Sequence, residues 1–239
     1  AITLALVNKE DSPLADHAEF VIPLRAGEEK AVAATKSYMC TLSAILQFIA
    51  IYNSDNLLES ALDNLGPQLQ QTLNIDFSPV VEALLDTMHM FVIARGVSFP
   101  IAQEAALKFK ETACIQAEPF SSAEVLHGPF ALVRKGFSTL QFIQKDESLA
   151  GNLELAKKMT DLGAQTIVLY PENIDEKEVK KLIDKQTAKL NIALPASIHP
   201  LTDPIMIIQA FYAMVNSLAV KRGFDPDNPD NLKKVTETK

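Results

Sequence analysis

The sequence predicts an α/β fold in which helices cover both faces of a parallel sheet. Short, mostly apolar segments alternate along the chain with longer segments whose apolar residues recur at helical spacing. The helical segments are long enough to serve as the crossover connections that parallel strands require. With 48% hydrophobic and 22% charged residues, the chain has the composition of a globular protein that can bury such a sheet.

The individual elements follow from this pattern in chain order. Short apolar runs predict strands at 1–8, 20–24, 89–94, 139–143, 166–170 and 190–194. Apolar residues at helical spacing predict helices at 32–52, at 56–73 with an interruption at Gly66-Pro67, at 78–86, from Phe99 onward, at 149–162, near 175–183, and at 203–220. Because Gln209 and Asn216 interrupt the last of these, we expect a buried core helix and no membrane span.

The order of elements near the start of the chain recurs near its end. In both places a strand, a polar segment, a second strand and a short link precede a long apolar helix. Further strands precede the second copy but not the first. We therefore expect residues 1–75 to be the C-terminal part of a first α/β domain that begins upstream, residues 76–222 to be a second domain, and residues 223–239 to be a C-terminal tail.

Charge and composition exclude several classes of function. The net charge is −8 and no basic run occurs, which argues against a nucleic-acid partner, since such binding depends on neutralising phosphates. The four histidines have no metal-ligand spacing, so no metal is expected. Cys40 and Cys114 lie far apart in apolar helical segments. We therefore expect buried free thiols and a reducing, cytoplasmic setting.

One helix carries residues suited to proton transfer. Glu104, Lys108 and Glu111 share one face, while Ile101, Ala105 and Ala106 lie off that face and are expected to pack inward. Sixteen residues after Glu111 comes His127, followed by Gly128-Pro129. A carboxylate, an ammonium and an imidazole are the groups that acid–base catalysis uses. The alternative is a solvated ion pair, worth about 0.2–0.5 kcal/mol, and a histidine that only shapes a turn.

Three segments of the chain occur together in one known family. They are ARGVSFPIAQEAALKFKETACIQAEPFSSAEVLHGP at 94–129, AGEEKAVAATKS at 26–37 and DPDNPDNLKKVT at 225–236. In that arrangement they resemble the sugar-isomerase (SIS) domain family, in particular the isomerase domain of glucosamine-6-phosphate synthases. The resemblance implies a flavodoxin-like, Rossmann-type doubly wound fold, with two SIS domains of which the first is incomplete in this chain. It also implies that the tail closes over the active site.

The same resemblance implies catalytic roles for four residues. The family's proton-transferring glutamate falls on Glu111, and its lysine one turn earlier falls on Lys108. The histidine before Gly-Pro, which opens the sugar ring, falls on His127. The tail lysine that can form a Schiff base with the open-chain sugar falls on Lys234.

Four further positions are implied to contact the substrate. Val32 and Ala33 match residues whose main chain contacts the sugar. Ala34 stands where the synthase has a serine, and Lys233 replaces a small residue beside the Schiff-base lysine. The contacts of these two positions with the sugar are therefore expected to differ from those of the synthase.

The family also implies the partners. We expect a small phosphosugar substrate, no cofactor, and a homodimer in which the histidine of one subunit completes the site of the other. In the family, two Ser/Thr-rich loops of the first SIS domain hold the sugar phosphate, and no such loop precedes the first strand of this sequence. Neither a nucleic-acid nor a membrane partner is expected.

Three functions remain open from the sequence. The first is a stand-alone isomerase or deaminase of an amino-sugar phosphate, which would interconvert glucosamine 6-phosphate and the ketose fructose 6-phosphate. The second is the isomerase part of a glutamine–fructose-6-phosphate transaminase. The third is a non-catalytic module that senses a phosphosugar. The joint presence of Glu111, Lys108, His127 and Lys234 argues against the third, since a sensor needs no proton-transfer residues.

Overall fold

In residues 1–174 and 190–235, which the computed structural model describes, the chain forms a five-stranded and a two-stranded sheet, both parallel. The larger sheet has the order β4-β3-β5-β6-β7. Its strands are β3 (His89–Ala94), β4 (Gln116–Ser121), β5 (Ser138–Phe142), β6 (Gln165–Pro171) and β7 (Asn191–Leu194). This order is the flavodoxin-like one, which confirms the predicted doubly wound α/β fold.

Helices cover both faces of the larger sheet. One face carries α5 (Ser78–Leu84), α6 (Phe99–Ala113) and α8 (Asp203–Lys221), and the other carries α7 (Leu149–Asp161). Successive side chains of the central strand β3 point alternately to the two faces of the sheet. Val92 joins the core beneath α6 and α8, whereas Phe91 joins the core beneath α7. Burial on both faces explains why this strand is apolar at nearly every position.

The N-terminal part contributes the small sheet and several helices. These are β1 (Leu4–Val7), α1 (Pro13–His17), β2 (Phe20–Pro23), α2 (Lys36–Asn53), α3 (Asn56–Asp63) and α4 (Leu65–Thr72). Helices α2 and α4 pack against α8, where Leu65 contacts Ile205 and Met206. Apolar side chains of the small sheet, such as Phe20, remain exposed. The predicted division into residues 1–75, 76–222 and 223–239 stays a prediction.

The structure corrects two details of the predicted elements. The sequence does not predict β4, because Glu118 and Pro119 interrupt its apolar pattern; β4 is an edge strand, where a proline is tolerated. The break predicted at Gly66-Pro67 is wrong, since Gly66-Pro67 lies in the first turn of α4 and the break falls at Asn64. The predicted helix 175–183 lies outside the described residues.

Both cysteines are free thiols, but the predicted burial is wrong. Cys40 is half-buried in α2, and Cys114 is exposed. Helix α6 ends at Ala113, and the residue that caps it, Cys114, adopts a left-handed conformation with φ 51°. The chain turns there toward β4, so Cys114 leaves the apolar face of the helix. The apolar pattern does not reveal the residue at which the helix stops.

Helix α8 lies in the main core. The segment Pro200–Lys221 is long and apolar enough to cross a membrane, but 67% of its apolar window is buried in the protein. Phe211 packs edge-on against Phe109 of α6 and Phe142 of β5, with ring centroids 5.0 and 6.2 Å apart. This packing confirms the predicted buried core helix.

The carboxyl group of Asp203, in the first turn of α8, is expected to cost stability at neutral pH. Burial, reinforced by the charge of Asp146, raises the pKa of Asp203 from 3.8 to about 6. The folded protein therefore binds this proton more tightly than the unfolded chain does. The stabilising effect of protonation is fully present below about pH 4 and is lost as the pH rises through about 6.

Asp203→Asn removes this titration. The variant is expected to have a free energy of unfolding about 3 kcal/mol higher than the wild type at pH 7, an advantage that largely disappears near pH 4. Urea denaturation of both proteins at the two pH values measures the difference. An advantage that is equal at pH 7 and pH 4 would contradict a titrating Asp203.

Candidate active site

The polar face of α6 carries a cluster of three charged side chains, in which a buried lysine lies between two partly buried carboxylates. Lys108 Nζ lies 2.8 Å from Glu111 Oε2 and 3.0 Å from Glu104 Oε1. Lys108 is only 4% exposed, and the side chains of Glu104 and Glu111 are 10% and 22% exposed. The alternative of a solvated surface pair is therefore wrong for this cluster. A buried ammonium and its carboxylates depend strongly on one another, because each would otherwise be an uncompensated charge.

The opposite face of α6 fixes the cluster in place. Ile101, Ala105 and Ala106 are buried in the main core, as predicted, and Phe109 is buried with them. Rotation of the helix would expose these apolar side chains to water. The core therefore holds the polar face of α6 toward its neighbours α2 and α8.

Two tyrosines approach Glu104 from different helices. Tyr212 of α8 donates a hydrogen bond from its phenol to Glu104 Oε1 at 2.8 Å. Tyr38 of α2 donates instead to the main-chain oxygen of Pro100 at 3.3 Å. Burial and the charge of Glu104 raise the pKa of both phenols, that of Tyr38 to about 12. Both phenols therefore remain neutral hydrogen-bond donors at physiological pH.

The link between β2 and α2 is organised by Glu29. Its carboxylate accepts hydrogen bonds from the N–H groups of Thr35 (2.7 Å) and Ser37 (3.2 Å) and from the Ser37 hydroxyl (2.6 Å). These N–H groups lie where α2 begins, so Glu29 satisfies donors that the helix leaves free. Helix α2 accordingly begins at Lys36, and the predicted start at Val32 is wrong.

The C-terminal tail folds back onto this link. Val32 N–H donates to the main-chain oxygen of Asp227 at 2.9 Å, and Lys234 Nζ donates to that of Ala31 at 2.7 Å. Burial of Glu29 acts to raise its pKa, but its hydrogen bonds and the charge of Lys234 outweigh burial and lower the pKa. Two regions far apart in the sequence are thus held together.

A cleft of about 670 Å³ lies between the end of α6 and the tail. Glu111 lines it on one side, and residues of 223–232 line it on the other. Lys234 follows two residues after this lining. A larger cavity, of about 790 Å³, opens at the amino ends of β3, β4 and β5, but none of the predicted site residues lines it. The smaller cleft is therefore the candidate site, because the predicted catalytic residue Glu111 lines it.

The predicted substrate-contacting residues lie on the link and on the tail. Val32 is half-buried, Ala33 is buried, and Ala34 is exposed. Lys233 is exposed beside Lys234. The structure thus brings the link and the tail together. The contacts of these residues with a sugar stay predictions.

His127 lies apart from the other predicted catalytic residues within one chain. It is exposed at the end of the 3-10 turn Glu124–His127, beyond the carboxyl end of β4. Glu111 lies in the last turn of α6, just before the amino end of β4. The six-residue strand between them spans about 17 Å. The His127 and Glu111 of one chain therefore belong to opposite edges of the sheet.

Sequence reasoning missed two residues near this site. The sequence indicates Glu29 only as part of the link and Tyr212 only as part of an apolar helix. A hydroxyl among apolar residues at helical spacing is a weak signal for a buried hydrogen bond. Among residues 1–174 and 190–235, no group of three or more His, Cys, Asp or Glu side chains is placed to hold a metal ion.

The fold and the site together define a class of protein. It is a flavodoxin-like α/β protein in which a carboxylate, paired with a buried lysine, lines a cleft beside the C-terminal tail. Residues 83–221 match the model of the SIS domain, and the chain belongs to that family.

Known proteins of this family resemble the chain over nearly its whole length. The glutamine–fructose-6-phosphate aminotransferase (isomerizing) of Sulfurisphaera tokodaii is 32% identical over 97% of this chain, and that of Thermococcus kodakarensis is 33% identical over 98%. The chain spans only 37% and 39% of the length of these curated relatives. The similarity therefore concerns less than half of each of these relatives.

Solved structures agree with this fold. A protein of Silicibacter pomeroyi assigned as a phosphosugar isomerase is 37% identical and superposes with a TM-score of 0.80, covering 94% of this chain and 64% of that one. The C-terminal domain of glucosamine-fructose-6-phosphate aminotransferase from Francisella tularensis is 25% identical, with a TM-score of 0.79, and the match covers 95% and 65% of the two chains.

Proposed function

We propose that the protein interconverts an aldose phosphate and a ketose phosphate, and that its substrate is an amino-sugar phosphate related to glucosamine 6-phosphate and fructose 6-phosphate. The observation that carries this proposal is Glu111, held 2.8 Å from a buried lysine and lining a ligand-sized cleft. The relatives support the substrate class, because they are named as a fructose-6-phosphate aminotransferase and a phosphosugar isomerase.

In this mechanism Glu111 moves a proton between C1 and C2 of the open-chain sugar. A carboxylate beside two adjacent carbons takes the proton from one and returns it to the other without a large movement. Lys108, 2.8 Å from Glu111, offsets the negative charge that develops on the enediolate oxygens. The buried position of Lys108 strengthens this effect, since water does not screen it.

Two residues complete the proposed site. The partner subunit's His127 opens the sugar ring by moving a proton between the ring oxygen and the anomeric hydroxyl. This assignment fits the separation of His127 and Glu111 within one chain, and it requires a homodimer. Lys234 either forms a Schiff base with the keto sugar, with loss of water, or donates a hydrogen bond to it. We place the reaction in the cytoplasm.

Experiments must distinguish between two reactions and a third, non-catalytic function. The aminotransferase relatives favour the isomerase part of a larger glutamine-dependent enzyme, which takes its ammonia from elsewhere. The stand-alone alternative releases ammonia from glucosamine 6-phosphate. A phosphosugar sensor would bind without turnover.

The test is an assay of the full-length protein with three substrate mixtures. Ammonia release from glucosamine 6-phosphate identifies a deaminase, and glucosamine 6-phosphate formed from fructose 6-phosphate and glutamine identifies the aminotransferase. Interconversion of fructose 6-phosphate and glucose 6-phosphate without nitrogen identifies isomerisation alone. Tight binding with no turnover in any mixture would overturn the proposed function.

A shared site predicts that two inactive variants restore each other. Glu111→Gln and His127→Ala each remove one catalytic group. In a mixed dimer, one of the two sites receives both intact residues. Random exchange of equal amounts should recover about one quarter of wild-type activity, since half of the dimers are mixed and each has one complete site. The control is the same mixture without subunit exchange, and no recovery after exchange would contradict a site shared between subunits.

A further inference from the structure

Tyr212 makes a contact that the proposed mechanism does not use. It belongs to α8, most of whose apolar residues are buried, yet its phenol donates to Glu104 Oε1 at 2.8 Å. The same oxygen of Glu104 lies 3.0 Å from Lys108 Nζ. A continuous series of polar contacts therefore runs from Tyr212, through Glu104 and Lys108, to Glu111.

The cluster contains two carboxylates and only one ammonium, so Glu104 and Glu111 compete for Lys108. A hydrogen bond from a phenol to a carboxylate is charge-assisted, and it is stronger where water is largely excluded. The bond from Tyr212 offsets part of the negative charge on Glu104 Oε1 and fixes the direction of that side chain. Glu104 then attracts Lys108 less, and the ammonium remains close to Glu111.

We propose that Tyr212 is a positioning residue that sets how Lys108 is shared between the two carboxylates and so orients Glu111 for proton transfer. The inference rests on the proposed function for its kinetic consequences. Without the phenol, Glu104 draws Lys108 toward itself, and the 2.8 Å contact between Lys108 and Glu111 lengthens. Tyr212 touches no reacting atom in this scheme.

Tyr38 supplies the matched control. Burial and the nearby charge of Glu104 raise the pKa of the Tyr38 phenol. The phenol nevertheless donates its hydrogen bond to the main-chain oxygen of Pro100 and not to Glu104. Tyr38→Phe therefore removes a neighbouring phenol of the same acid without touching the series of contacts that ends at Glu111.

The experiment compares both variants in the full-length protein. Tyr212→Phe is expected to lower kcat about tenfold and to leave KM within about twofold, because the substrate contacts are unchanged. Tyr38→Phe is expected to leave both constants unchanged. In a Glu104→Gln background, Tyr212→Phe should change kcat less than about twofold, since the route through Glu104 is already broken. An unchanged kcat in Tyr212→Phe, or an equal loss in both backgrounds, overturns the proposal.

Two further measurements separate this inference from the fold and from the proposed function. The ¹³C shift of the Glu111 carboxyl carbon, assigned by its absence in Glu111→Gln, is expected to change in Tyr212→Phe but not in Tyr38→Phe. This readout needs no substrate, so it holds even if the wild type turns over no phosphosugar. If Tyr212→Phe does not fold, 3-fluorotyrosine at position 212 keeps the hydroxyl and makes it a stronger hydrogen-bond donor with a small change in size; a Glu111 shift that it leaves unchanged overturns the proposal.

Discussion

Replacement of Glu111 by glutamine is expected to lower kcat by about 10²–10⁴-fold, the contribution typical of a general acid–base group. Glutamine has nearly the same shape as glutamate but cannot take a proton from carbon. KM should change little, because the substitution leaves the proposed sugar-binding residues of the link and tail unchanged. Steady-state kinetics with whichever phosphosugar the wild type turns over measures the effect.

The control for this variant is Glu59→Gln. Glu59 is exposed on α3, away from the cleft, so its substitution is expected to leave kcat and KM unchanged. Circular dichroism and urea denaturation establish that Glu111→Gln remains folded. Retention of more than about a tenth of the wild-type kcat would remove Glu111 from the mechanism, because a general acid–base group typically contributes about 10²–10⁴-fold.

Replacement of Lys108 by methionine is expected to have the largest effect on stability. Methionine fills a similar volume but leaves two carboxylates, Glu104 and Glu111, without the cation that lies 3.0 and 2.8 Å from them. Loss of one partner from a buried ion pair typically costs about 3–5 kcal/mol. The free energy of unfolding at pH 7, from urea denaturation, should fall by that amount.

Lys157→Met is the matched control. Lys157 also pairs with an acid one helical turn away, Asp161, at 2.6 Å, but both side chains are about half exposed. Its loss is expected to cost less than about 1 kcal/mol. Glu104→Gln combined with Lys108→Met should recover part of the stability, since one uncompensated charge is removed. Equal losses for Lys108→Met and Lys157→Met would show that burial does not govern the cluster.

The main elements of the fold are predictable from the sequence because they depend on local patterns. Strand β3 is buried on both faces and reads as a continuous apolar run, and α8 keeps apolar residues at helical spacing over its whole length. Strand β4 lacks such a pattern, because an edge strand accepts Glu118 and Pro119. Its presence depends on pairing with β3, which the local sequence does not encode.

The candidate site, like the fold, is only partly predictable from the sequence. The spacing of Glu104, Lys108 and Glu111 determines by itself that they share a helix face, since the helical repeat is fixed. The sequence does not determine that this face is buried, because burial depends on α2 and α8 packing beside it. The contact of Tyr212 with Glu104 joins residues 108 positions apart, and that of Lys234 with Ala31 joins residues 203 positions apart.

By itself, then, the amino-acid sequence determined most of the helices and strands, though neither β4 nor the start of α2, and which three charges lie on one side of α6. Only the tertiary structure decided that Lys108 is withdrawn from water, that Glu111 lines the cleft beside the tail, and that His127 lies at the opposite edge of the sheet. The physical reason is that periodicity acts over a few residues, whereas burial and charge sharing arise from groups brought together by the packing of distant segments.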